Sequence, residues 1–240
     1  MTLTTYPMRE KKPQQIGNYL LDEITPKALK LEMEQSKHAL SDRMLKDPSW
    51  ESFVWNGTFL TSPMMALRGA EEHGLKVKIR TVPKVSSNPE KTEPDIPDSG
   101  EIYCTKEDLI NSSGIAIGSP TRFGSMAAPL KYFLDTTGDL WATNALENKP
   151  GLAFTSTGSM HGGQEVTLFN ILTFMLHHGM IILGTPYSLS QLNKTKSGGT
   201  PYGPSHVESF NSSNELTLDE YEIAKQCGQR LAKLILKVSE

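Results

Sequence analysis

From about residue 63 onward, short apolar runs alternate with longer stretches whose apolar positions recur at helical spacing. Residues 64–73 carry a helical pattern that Gly74 ends. Residues 77–82 read as a strand. Residues 83–100 are rich in Pro, Ser, Asn and Glu and read as a long loop. Residues 106–109 predict a short helical turn, and 127–136 a helix. Residues 114–118 (GIAIG) and 151–155 (GLAFT) are almost wholly apolar, as expected for strands buried on both faces. Residues 164–178 predict a long helix stopped by Gly179, followed by a strand at 180–183 (MIIL). Residues 198–204 form a glycine- and proline-rich loop. Residues 218–238 predict a final helix with Ile223, Cys227, Leu231, Leu234 and Ile235 on its apolar side. Alternating strands and helices imply right-handed crossovers, hence an α/β fold with a doubly wound parallel sheet.

The first 50 residues break this rhythm. They are polar and contain no convincing strand. Thr25-Pro26 has the form of a helix start, a hydroxyl N-cap followed by proline. A helix from there to about Lys46 carries thinly spaced apolar residues, Leu29, Met33, Leu40 and Leu45, so it reads as a marginal surface helix. A functional arm is the alternative. The expected division is an atypical segment at 1–50, part helix and part disorder, and one α/β domain at 51–240.

Composition narrows the function classes. The net charge of -3 argues against nucleic acid or an anionic membrane as the main partner. The two cysteines, Cys104 and Cys227, form no CxxC pair and suit a reduced, cytoplasmic compartment. Residues 1–12 have no apolar core of a secretory signal, and no run is long enough to span a membrane.

In a doubly wound sheet, ligands bind outside the carboxyl ends of the strands. That rule selects the loops at 119–124, 156–163 and 184–203. The first, Ser119-Pro120-Thr121-Arg122-Phe123-Gly124, joins a rigid proline, a hydroxyl, a guanidinium and a glycine directly after a buried strand. Proline and glycine let the backbone approach a flat heterocycle closely. The second, running from Ser156 to Glu165, is a glycine and hydroxyl cluster that opens a helix and offers N–H groups to a polar ligand. Taken singly, each also reads as an ordinary turn. His177-His178 closes the long helix, where a histidine complements the helix dipole. Adjacent histidines do not share a helix face, so a metal site is not expected. Trp141 reads as core or as the aromatic wall of a pocket for a planar ligand.

Joint occurrence is more specific than any single loop. The segments SPTRFGSM, KYFLDTTGDLWA, FTSTGSMHGGQE, HHGM and GGTPYG follow one another at characteristic spacings. In these the chain resembles the WrbA-type NAD(P)H:quinone oxidoreductases, a flavodoxin-like, FMN-binding family. The similarity covers residues 64–240, about three quarters of the chain. The resemblance implies that Pro120, Thr121, Arg122, Phe123 and Gly124 hold the isoalloxazine and its pyrimidine edge. It makes Ser156, Thr157, Gly158, Ser159, Met160 and His161 the second flavin loop. It implies that His177 reaches the flavin site, from its own or a neighbouring subunit, as the polarising catalytic residue. Trp141 would line the substrate pocket. NAD(P)H and a quinone would use one pocket in turn, in a homo-oligomer that is a tetramer by family resemblance.

The sequence departs from this pattern near its start. The family begins with an apolar strand that runs into a hydroxyl-rich phosphate loop, here expected at about residues 53–59. Asn56, Gly57 and Thr58 suit that loop. Val54 stands where the family has a phosphate-binding serine, and Trp55 and Phe59 are bulky. Upstream, Lys46-Asp47-Pro48-Ser49-Trp50-Glu51 makes a poor buried strand, because charge and proline oppose a central ladder. Three readings remain open. A divergent insertion still supplies a strand at 52–55; the chain carries a beginning unrelated to the family; or the scaffold has lost FMN and serves as a binding or interaction protein. Without a first strand, weak folding is expected. A plain flavodoxin carrying electrons to a protein partner is a further option, less suited to the long loops and Trp141.

Overall fold

The computed structural model of the chain describes residues 50–55, 66, 68–85, 102–208 and 216–239. The strands are β1 (Trp50–Trp55), β2 (Lys76–Arg80), β3 (Gly114–Pro120), β4 (Pro150–Thr157), β5 (Ile181–Leu183) and β6 (Ser205–Val207). Among the described residues, 66 and 68–71 are helical, and the helices with both ends described are α1 (Lys106–Asn111), α2 (Ala128–Asp135), α3 (Gly138–Ala142), α4 (Gln164–His177), α5 (Ser190–Lys194) and α6 (Leu218–Val238). All strand pairings are parallel, in the order β2-β1-β3-β4-β5, with β6 also on β4. The chain steps from β1 to β2 on one side and then returns to β3 on the other. The switch point therefore lies between β1 and β3.

β3 and β4 are buried almost throughout, and their alternating side chains serve two cores. Ile115, Ile117 and Ala153 pack with Leu130 and Leu134 of α2 and Leu168, Ile171 and Met175 of α4. Ala116, Leu152 and Phe154 face the opposite way, toward Ile223, Cys227, Leu231 and Ile235 of α6. This is why residues 114–118 and 151–154 carry no polar side chain: each face is covered by helices. Backbone proximity tightens the second layer. A Cβ on Gly228 of α6 would lie 1.8 Å from the carbonyl oxygen of Ala66, so only glycine fits there.

The expectation of a doubtful first strand is corrected here. β1 is present, and it is central. Glu51 pairs with Val77 on one side and Gly114 on the other, and the register continues to Val54 opposite Arg80 and Ile117. The strand is Trp50–Trp55, so Asp47 and Pro48 precede it in the sequence. β1 supplies the partner without which β2 and β3 would each keep an unpaired edge, at about 1–3 kcal/mol per buried orphan group. The premise for weak folding is thereby removed. Of the stretch expected as phosphate loop, residues 53–55 are strand. Asn56, Gly57 and Thr58, the helix proposed from Thr25 to Lys46, and most of the 83–100 loop lie outside the described residues.

Other elements follow the pattern with small shifts. α1 is fixed by a capping box in which Thr105 and Asp108 satisfy each other's backbone N–H. α6 has the same device in Thr217 and Glu220. α3, α5 and β6 were not expected, and all three have five residues or fewer. No helix among the described residues is long and apolar enough to cross a membrane.

Candidate functional site

The carboxyl ends of β3 and β4 lead directly into the two loops singled out by sequence, and hydrogen bonds tie the loops together. Thr121 N–H donates to the Ser156 carbonyl at 2.8 Å. Thr167 on α4 donates its hydroxyl to Thr121 Oγ1 at 3.1 Å, and Thr121 Oγ1 lies 3.3 Å from Thr155 Oγ1. Thr155 in turn donates to the Ser119 carbonyl at 2.8 Å. Buried Ser119 accepts from Ala127 N–H at 2.8 Å and so closes the first loop onto the start of α2. Few of these hydroxyls are free to rotate, which pre-orders the loop backbones.

The first loop turns at its tip. Arg122 N–H donates to the Ser125 carbonyl and Ser125 N–H to the Arg122 carbonyl, at 2.8 and 3.0 Å. Phe123 and Gly124 between them have φ of +51° and +77°. A left-handed phenylalanine is disfavoured by about 1–2 kcal/mol, and its side chain is fully exposed, so no core packing offsets that cost. Such a residue points to a surface used by a ligand or partner.

The second loop is held from within. Thr157 donates its hydroxyl to the Ser159 carbonyl at 2.9 Å, and Gln164 Nε2 donates to the Met160 carbonyl at 2.7 Å. Gly158, Ser159, Met160 and His161 are exposed. A Cβ on Gly158 would meet no atom within 4 Å, so the backbone there opens onto free space. The N–H groups of Phe123, Gly158 and Ser159 have no acceptor among the described residues.

Pro120, Thr121, Arg122, Ser156, Thr157 and Gly158 line one small cavity of about 70 Å³. His206 and Glu208 complete it, and sequence reasoning missed both. His206 lies on β6, a three-residue strand too short to show any periodicity, and Glu208 follows it directly. Polar walls, open N–H donors and close backbone approach fit the polar edge of a flavin.

Trp141 and His177 sit elsewhere. They line a larger cavity of about 430 Å³ between α2, α3 and α4, with Met126, Leu134, Phe174 and His178. Trp141 and His177 are exposed, whereas His178 is buried. Thr137 donates its hydroxyl to the Leu134 carbonyl and therefore accepts from His178 Nε2 at 3.2 Å. Burial, assisted by the neighbouring His177, pushes the His178 imidazole below its ordinary pKa. The residues expected around one flavin thus fall into two cavities of a single protomer. Phe123, Gly124, Ser159, Met160 and His161 line neither. No cluster of His, Cys, Asp and Glu suited to a metal ion occurs among the described residues.

A parallel sheet with this strand order, with helices on both faces, defines the flavodoxin-like class of α/β proteins. Within that class, residues 63–194 match the family model of NADPH-dependent FMN reductase, more than half of the chain, and the protein belongs to that family of oxidoreductases. Solved structures agree on the fold. The flavodoxin, WrbA-like protein from Agrobacterium tumefaciens has a TM-score of 0.53 at 18% identity, covering 79% of this chain and 98% of its own. A flavodoxin from the domain Archaea has a TM-score of 0.51 at 19% identity, covering 78% and 99%. A flavone reductase has a TM-score of 0.51 at 12% identity, covering 80% and 64%. The family match begins after β1, so the central strand lies outside it.

Proposed function

We propose that the protein is an FMN-dependent NAD(P)H:quinone oxidoreductase that works in the cytoplasm as a homo-oligomer. The observation that carries this reading is the joined pair of loops: Pro120, Thr121 and Arg122 share one cavity with Ser156, Thr157 and Gly158 at the sheet's carboxyl edge. These residues would bind the ring end of FMN. Thr121 is fixed by Ser156, Thr155 and Thr167, so its backbone would meet the ring without reorganisation. Phe123, held exposed by its turn, would lie against the ring or its substrate. FMN, when bound, supplies two-electron transfer between a reduced nicotinamide and a quinone.

Trp141 and His177 would bind and polarise the quinone. Because they line a different cavity from Arg122, they would serve a neighbouring subunit's flavin rather than their own. The apolar residues exposed along α4, Val166, Phe169 and Leu176, support association on that face. A tetramer is the assembly that the family resemblance suggests. In the test, purified protein is titrated with FMN and assayed for NADH and NADPH oxidation with benzoquinone. A yellow, turning-over protein is expected. Failure to bind FMN at tens of micromolar would overturn the reading.

A further inference from the structure

The flavin cleft has a wall that the two loops do not supply. β6 pairs with the last residues of β4, placing His206 opposite Ser156 and Val207 opposite Thr157. His206 therefore joins the cavity of Thr121, Arg122 and Gly158. Its side chain is only 5% exposed. Nδ1 lies 3.1 Å from Glu220 Oε2, while buried Nε2 has no hydrogen-bond partner among the described residues.

Glu220 decides which nitrogen carries the proton. Burial raises the Glu220 pKa, but hydrogen bonds from His206 and from the N–H groups of Thr217 and Val207 outweigh it and hold the carboxyl below its ordinary value. An ionised carboxylate only accepts. Nδ1 of His206 is therefore the donor, and in the neutral ring Nε2 is left with a lone pair. Glu220 does not need the imidazole for its own satisfaction. Gly198, Val207 and Thr217 already donate backbone N–H groups to it at 2.7, 3.0 and 2.8 Å. The arrangement leaves a buried acceptor unpaired at the edge of a ligand cleft, where a ligand's donor would complete it.

We propose that His206 is a cofactor-contacting residue whose Nε2 accepts a hydrogen bond from the bound flavin, with Glu220 as its positioning residue. This rests on the reading that the cleft takes FMN. An oxidised flavin offers two kinds of donor, the N3–H of its pyrimidine ring and the hydroxyls of its ribityl chain. Both are the same chemistry to an imidazole lone pair.

The experiment measures flavin affinity of the full chain by quenching of flavin fluorescence, with a thermal melt of each variant. His206→Asn keeps a donor near the Nδ1 position for Glu220 and removes the group at Nε2. His206→Gln places an amide near the Nε2 position. We expect FMN to bind His206→Asn about tenfold more weakly, with His206→Gln recovering much of the loss and both variants melting close to wild type. Lumiflavin, which lacks the ribityl chain, separates the two donors. A deficit that persists with lumiflavin assigns N3–H, and one that vanishes assigns a ribityl hydroxyl. In ¹⁵N-histidine-labelled wild type, FMN should also shift the His206 Nε2 resonance, a readout that needs no folded variant. Wild type that binds FMN with this resonance unmoved, or His206→Asn that binds FMN as tightly as wild type, overturns the proposal alone. Wild type that binds no FMN overturns the cofactor reading and this proposal together.

Discussion

Gly163 and Gly124 meet backbone to backbone where the two candidate flavin loops touch. Gly163 has a φ of +95°, and a Cβ built on it would lie 2.9 Å from the Cα of Gly124 and 3.6 Å from Thr121 Cγ2. Gly163 is the residue that caps α4, so it also sets where that helix begins. The contact joins helix, second loop and first loop at one point.

Gly163→Ala should therefore act on both stability and affinity. The left-handed backbone and the close Gly124 backbone each oppose a side chain, for a combined loss of about 1–3 kcal/mol. FMN affinity should fall with it, because the first loop must shift to make room. Urea unfolding and an FMN titration read the two effects. An alanine variant with unchanged midpoint and unchanged affinity would show that the loops do not depend on this contact.

The separation of Trp141 and His177 from the loop cavity gives the second prediction. Leu176, exposed beside His177 on α4, is replaced by aspartate. The oligomer should dissociate in size-exclusion chromatography with light scattering. Quinone turnover should drop by more than about tenfold while FMN binding stays near wild type. A wild type that is monomeric and fully active would defeat the cross-subunit arrangement.

His178 makes stability depend on pH. Burial, with help from His177, holds its folded pKa below the ordinary value of 6.5. As pH falls, the unfolded chain takes up this proton first. The contribution of neutral His178 is thus complete above about pH 6.5 and is lost as pH falls toward the folded value. Glutamine at 178 keeps a donor for Thr137 and does not titrate. Wild type should lose more melting temperature than His178→Gln between pH 7.5 and about pH 5. Parallel losses in the two proteins would remove His178 as the cause.

Neither cysteine should react in the folded state. Burial, with Asp108 nearby, pushes the Cys104 thiol up to about 12, and burial pushes Cys227 up to about 11. Both are buried and free. Iodoacetamide at neutral pH should leave the native protein unmodified and alkylate both residues once urea unfolds it, as intact mass would show. Alkylation of native protein would indicate local opening around β2 or α6.

The comparison of sequence and structure divides by range of interaction. Doubly buried strands announce themselves locally, since every side chain in residues 114–118 and 151–155 must be apolar or small. Gly74 and Gly179 mark helix ends because each takes a positive φ. The first loop could be placed at the edge of the sheet because it follows such a strand without a gap. β1 was harder to read. Glu51 and the preceding proline argue against a strand when judged by residue type alone. What fixes it is its pairing with β2 and β3, contacts that no local window contains.

The sequence alone determined the buried strands β3 and β4, the long helices α2, α4 and α6 that follow in the chain, and the identity of the two loops that follow β3 and β4. Periodicity and turn chemistry act over a few residues, and those features need nothing more. The tertiary structure decided that β1 stands in the centre of the sheet, and that β6 brings His206 against Ser156. It also decided that Trp141 and His177 face a different cavity from Arg122. Short strands carry too few residues to declare a pattern, and which side chains share a cavity depends on how distant segments pair and pack.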